Sequence, residues 1–306
     1  MTRDDMETAD RVCRPIGLSE ALDHFAKYSG RTQSQQHIKP LHWRIACRLV
    51  LEGGFQPQEI TPRPPFVAMT RGRSRILIYD PKVATGGETT VLGGLKTKNV
   101  DVVVTKEGIG PVLAVSCKGM TGAFRNLTNR MEETIGECTN LHITYPALVF
   151  GYFFVIRANR AVAAASDVLI SGEASPERQL SANDIAIQEG GEPVESIIRF
   201  HSALRELTGR RGIRSDGSRY EAIALAMVET SGAIPGIMLP MFPPPDSPLR
   251  IEQFFKILYL RYEERFVYGA PDLSAVTARA EWSPASEAFS SKVVAELGIE
   301  PRLASE

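Results

Sequence analysis

The chain has 306 residues, a formal net charge of −1 and a hydrophobic content of 43%. That length holds one large domain or two modest ones, and that apolar content supports a proper core. No run of about eighteen apolar residues occurs, no C-x-x-C pair joins Cys13, Cys47, Cys117 and Cys138, and the acidic N-terminus lacks an apolar segment, which speaks against a membrane span, a zinc or redox centre and a signal peptide, and fits a cytoplasmic protein.

In chain order, residues 1–15 read as frayed. Leu18 to Tyr28 is a short helix with Ser19 as its candidate cap. A polar link follows, and Leu41 to Leu51 is a second helix with Pro40 in its first turn and Gly53-Gly54 after its end. Pro62, Pro64 and Pro65 break regular structure. Arg75 to Tyr79 alternates like a strand, and the Gly- and Thr-rich stretch Lys82 to Lys96 reads as a loop. Two strands come next, Asn99 to Val104 and Pro111 to Lys118. A helix follows with an apolar stripe at Leu127, Met131, Ile135 and Cys138, and then a buried strand from Ala147 to Ile156. The polar, acidic segment from Ser171 to Pro193 is a long loop or small insertion. Glu195 to Thr208 is an amphipathic helix, Ala222 to Val228 a strand, and Ile251 to Phe266 a helix with Phe254, Phe255, Leu258 and Tyr262 on its apolar side. This order predicts an α/β fold with a mixed central sheet flanked by helices. The division expected is an N-terminal helical arm (1–30), a core (31–270) with an acidic insertion around 166–195, and a C-terminal tail (271–306).

Charge is unevenly spread. Basic residues outnumber acids from Arg31 to Val100 and from Arg199 to Arg219, whereas Asp167 to Glu195 is mostly acidic. Clustered positive charge can neutralise phosphates even in a chain of nearly neutral total charge. Two solvated basic surfaces are the competing explanation.

The strand pair carries the chemistry. Alternate side chains of a strand face opposite ways, so Leu113, Val115 and Cys117 share one face and Ala114, Ser116 and Lys118 the other. Lys118 closes a run that otherwise reads as buried, near Asp101 of the neighbouring strand. An ammonium at the edge of a core is costly unless it is paired or used. A structural ion pair at a strand end is one reading of Asp101 and Lys118.

Asp101, a short hairpin, and then Ser116-Cys117-Lys118 resembles the PD-(D/E)xK nuclease superfamily, and the element order is also that of its core. The resemblance spans roughly residues 95 to 155. Val100 and Ser116 depart from the commonest pattern, Ser116 standing where the second acid usually is. Restriction endonucleases cutting CCGG-centred sites carry Ser-x-Lys on the strand and an acid on the following helix. Here thirteen residues separate Lys118 from Glu132. The resemblance implies a restriction-endonuclease-like fold and a Mg²⁺-dependent DNA endonuclease. It assigns Asp101 and Glu132, with a backbone carbonyl near Cys117, to the metal, Ser116 to a place beside it, and Lys118 to positioning and charge stabilisation. Glu133 is the rival of Glu132 because helix register is uncertain by a residue. An exposed helix face explains both acids equally well.

Arg125, Asn126, Asn129 and Arg130 are candidates for contacts to DNA bases or phosphates. Lys39 and His42, with His37 and Arg44 nearby, are candidates for phosphate contacts. Glu52 is a weaker candidate for an auxiliary acid. Cutting both strands of a symmetric site implies a homodimer, for which Phe254, Phe255, Tyr259 and Tyr262 offer apolar surface; packing against the protomer's own core is the alternative. No phosphate-binding P-loop, H-E-x-x-H, G-x-S-x-G or dinucleotide fingerprint occurs. The expected function is a type II restriction or related defence nuclease. The alternatives are a catalytically inactive DNA-binding or assembly module of the same fold, and a structure-specific repair nuclease.

Overall fold

The computed structural model describes residues 16–32, 35–161, 180–230 and 235–305. The expectations for residues 1–15 and for the first part of the acidic insertion fall outside these.

The protein is an α/β fold built on a five-stranded mixed sheet in the order β1-β6-β7-β8-β9. Here β1 is Ile60–Thr61, β6 Val102–Lys106, β7 Gly110–Met120, β8 Val149–Arg157 and β9 Ala222–Val228. Strands β6 and β7 form an antiparallel hairpin, whereas β7-β8 and β8-β9 pair in parallel. The two parallel pairs need helical crossovers. These are α3 (Leu127–Thr144) and α4 (Glu195–Leu207).

Each sheet face carries its own apolar layer. On one side Leu113, Val115 and Cys117 pack with Ile45 and Leu49 of α2 (Lys39–Leu51) and with Phe254 and Leu258 of α5 (Ile251–Tyr262). On the other, Val103 and Ala114 pack with Cys138 and Leu141 of α3 and with Phe200 and Leu204 of α4. The alternation read along Pro111 to Lys118 is thus the alternation observed. Strands β8 and β9, covered on both faces, are continuous apolar runs, as doubly covered parallel strands are. Phe254, Phe255, Tyr259 and Tyr262 are all buried in the protomer's own core, which leaves them no role as an exposed pairing surface.

The prolines at 62, 64 and 65 break regular structure as expected, but the strand that follows them, β2 (Phe66–Arg71), paired with β3 (Ser74–Tyr79) as a ribbon, was not foreseen. Three further local expectations change. The stretch expected to be a loop contains β4 (Thr89–Leu92), paired with β5 (Thr97–Val100). The single strand expected over Asn99 to Val104 is two, interrupted at Asp101: Val100 pairs back to Thr89, and Val102 pairs forward to Val115. The last long helix passes at Tyr262 into a π-helical turn, Glu263–Tyr268.

The first and last described segments pack into the core. Helix α1 (Leu18–Lys27) buries Leu22 and Phe25. In the C-terminal segment Trp282 is fully buried and its indole Nε1 donates to the Val50 carbonyl at 2.8 Å. At the far end of α3, Glu221 is buried between Arg210 (2.8 Å) and Arg265 (2.6 Å) and accepts from the Phe150 amide at 2.7 Å. That cluster fixes the crossover into β9. Among the described residues no helix is long and apolar enough to cross a membrane.

Candidate functional site

Asp101 sits where the chain leaves the β4-β5 ribbon and enters the central sheet. Pairing between β6 and β7 begins at Val102 and Val115, so the backbone of Cys117 extends past the end of β6. The carboxylate of Asp101 fills that gap. Its Oδ2 accepts from the Cys117 amide at 2.7 Å and from Lys118 Nζ at 3.0 Å, and the Ser116 hydroxyl stands 3.4 Å away. Its Oδ1 is buried and has no hydrogen-bond partner. A strand residue points its N–H and C=O to the same side. The Cys117 carbonyl therefore lies on the Asp101 edge, while the Cys117 thiol is buried on the opposite face.

A second carboxylate, Glu137, approaches this pair. It comes from the middle of α3, and its side chain is buried against the Ser116 and Lys118 face of β7. Its Oε2 lies 3.5 Å from Lys98 Nζ on β5, and its Oε1 is buried without a partner. Burial pushes its carboxyl pKa up; Lys118, Lys98 and the Ser116 hydroxyl oppose that and do not cancel it. For Lys118, burial pulls the pKa down, but Asp101 and Glu137 outweigh it and the net shift is upward. Lys118 therefore stays an ammonium, suited to holding and stabilising negative charge rather than to removing a proton.

Glu132 and Glu133 do not reach the site. Both are exposed, and Glu133 is paired with Arg130 on the helix surface. The reason is helix phase. At about 100° per residue Glu132 lies about 140° round the helix from Leu127, which faces the core. The inward stripe runs through Leu127, Thr134, Cys138 and Leu141, with Ile135 exposed, and Glu137 flanks that stripe. The continuation from Cys138 to Leu141 is the sequence signal for this phase; the polar Thr134 and Glu137 disguised it.

Helix α2 closes one side. His42 is buried, and its Nε2 lies 3.8 Å from Asp101 Oδ1 with no hydrogen bond. Burial lowers its pKa to about 4, against the pull of Asp101, so the imidazole is neutral at physiological pH. That position corrects the expectation of a phosphate contact: His42 is a wall of the site and not a surface group. Close approach of α1 and α2 to the strand end is allowed by Gly119, where an added Cβ would lie 2.7 Å from both Ile38 and Phe25. The His37 ring sits beside the Gly119 carbonyl, with Nε2 at 3.3 Å.

The remaining candidates divide. Arg125, Asn126 and Asn129 are exposed around the start of α3, Arg130 is engaged by Glu133, and Lys39 is half-buried in the first turn of α2. Glu52 pairs with Arg48 at the opposite end of α2 from His42, and Arg44 is buried, donating to the carbonyls of Ile16 and Leu297. Neither belongs to the site.

Among the described residues no group of three or more His, Cys, Asp or Glu side chains has metal-holding geometry. What the site offers instead is two carboxylate oxygens without partners, Asp101 Oδ1 and Glu137 Oε1, and a strand-edge carbonyl. An all-oxygen set of this kind fits a hard cation that keeps several waters, such as Mg²⁺. Comparison of the chain with protein-family models, with curated proteins and with solved structures found no match.

Proposed function

We propose that the protein is a Mg²⁺-dependent endodeoxyribonuclease hydrolysing phosphodiester bonds of double-stranded DNA, of the type II restriction class or a related defence nuclease. The observation that carries this reading is the convergence of Asp101 and Glu137 beside Lys118, each carboxylate keeping one buried oxygen that no protein group satisfies. Buried polar atoms are normally paired, so two orphaned carboxylate oxygens in one place argue for a cation.

Asp101, Glu137 and the Cys117 carbonyl are the groups that would hold the metal. When bound, it would stabilise charge on the phosphate and lower the pKa of a coordinated water. Lys118 donates one proton to Asp101 and has two more to offer to a phosphate oxygen or to the attacking water. Ser116 spaces the two carboxylates. Neutral His42 excludes water from Asp101 without adding a competing cation. Arg125, Asn126 and Asn129 present donors for DNA. A two-fold homodimer would bring two such sites to the two strands.

The rival reading, an inactive DNA-binding or assembly module, draws on Ser116 at the strand position of an acid. Glu137 supplies a second carboxylate and favours the enzyme. The test is nicking of supercoiled plasmid in Mg²⁺ against EDTA. Wild type cuts only with Mg²⁺. Lys118→Ala and Glu137→Gln lose at least ~100-fold in rate, on the scale of removing one preorganised charge, while Glu132→Gln and Glu133→Gln cut normally. Undiminished cutting by both Lys118→Ala and Glu137→Gln would refute the proposal.

A further inference from the structure

Lys98 was not distinguished by any motif, yet the fold spends several contacts on placing it. It lies opposite the buried Val91 in the β4-β5 ribbon, so its stem is directed inward onto α3. The ribbon tip is pinned there by Asn140. Its Oδ1 accepts from the amides of Leu95 (2.8 Å) and Lys96 (3.1 Å), its Nδ2 donates to the Lys96 carbonyl (2.9 Å), and its own carbonyl accepts from the Gly94 amide (2.8 Å). The fit leaves no room for a side chain at Gly93, where a Cβ would stand 2.0 Å from Asn140 Nδ2. Glu137 is one turn before Asn140 on the same helix. Pinning the tip therefore sets Lys98 against Glu137.

We propose that Lys98 is a displaceable counter-ion of the site: it holds Glu137 until a divalent cation takes that carboxylate, and its ammonium then serves a phosphate of the bound DNA. The inference rests on the nuclease reading above. Three observations support it. The Lys98–Glu137 separation of 3.5 Å exceeds the roughly 2.7–2.9 Å of a tight charge-assisted hydrogen bond. The lysine side chain is 32% exposed and the glutamate 3%, so the ammonium stands at the mouth while the carboxylate faces inward. Lys118, by contrast, is hydrogen-bonded to Asp101 at 3.0 Å. Finally, the ammonium groups and carboxylates stand in pairs, Lys118 with Asp101 and Lys98 with Glu137. A divalent ion shared by both carboxylates leaves the ammonium groups in excess, and the more loosely held one is free to meet a polyanion.

The test compares Lys98→Met and Lys98→Arg with wild type. Titration calorimetry with MgCl₂ or MnCl₂ alone reads metal affinity, and binding of a duplex oligonucleotide in the presence of metal reads the phosphate contact. Lys98→Met is expected to bind the metal about two- to fivefold tighter, the worth of a half-exposed ion pair, and to bind DNA more weakly with a shallower salt dependence. Lys98→Arg restores both values. Metal affinity that is unchanged or weakened in Lys98→Met overturns the inference, as does tighter metal binding with unaltered DNA affinity. Asp101→Asn and Glu137→Gln separate the two levels. If they abolish metal binding while Lys98→Met has no effect, the metal site stands and the role of Lys98 falls. If wild type binds no divalent ion, both fall.

Discussion

Acidification should destabilise this protein through His42 in a way that a His42→Asn variant does not share. In the unfolded chain the imidazole takes a proton near pH 6.5; in the folded protein burial lowers its pKa to about 4. Between those values the unfolded state binds more protons, so stability rises with pH and is lost as pH falls. The gap is worth about 3 kcal/mol when fully expressed, of which ~2 kcal/mol falls between pH 7 and pH 5. Glu137 works in the opposite direction, since a raised carboxyl pKa favours the folded state at low pH, but it is present in both chains and cancels in the comparison. The assay is urea unfolding of both proteins at a series of pH values from 5 to 8, read as the difference in their slopes. Parallel loss of stability in the two would refute the claim that a neutral, buried imidazole stands beside Asp101. The point bears on function, because a charged His42 would compete with any cation for Asp101 Oδ1.

Other substitutions follow from the same structure. Glu221→Ala leaves Arg210 and Arg265 buried without their carboxylate and should cost about 3–5 kcal/mol, read as a large fall in the urea midpoint. Trp282→Ala should cost about 3–5 kcal/mol, because the C-terminal segment closes the core around that indole; a loss under 1 kcal/mol by chemical unfolding would show the segment to be dispensable. Asn140→Ala frees the ribbon tip, with an expected loss of about 1–3 kcal/mol and faster hydrogen exchange at Leu95 and Lys96 than at Val103 or Ala114; equal protection would contradict the pinning role.

How much was legible beforehand differs between strand and helix. On β7 the apolar alternation placed Ser116 and Lys118 on one face and Cys117 on the other, because a period of two leaves only two choices and burial on both faces excludes neither. On α3 the spacing taken from the nuclease resemblance pointed to Glu132 or Glu133, whereas the acid buried beside Ser116 and Lys118 is Glu137. The helix is amphipathic, but its inward face includes Thr134 and sits beside Glu137, so polar residues interrupt the stripe. Ile135, apolar and exposed, added a false point. The β4-β5 ribbon was missed because its strands are short and rich in Thr, the turn between them holds Gly93-Gly94, and its order comes from Asn140 on a distant helix.

The sequence alone determined the layered α/β design, the buried parallel strands, the breaks at glycine and proline, and the pairing of Asp101 with Lys118, since these follow from local periodicity and from the cost of burying an unpaired charge. Only the tertiary structure decided that Glu137 rather than Glu132 or Glu133 faces that pair, that His42 is walled in and neutral, and that Lys98 arrives from a ribbon pinned to α3. Those outcomes depend on helix phase, depth of burial and contacts between residues far apart in the chain, none of which a linear pattern contains.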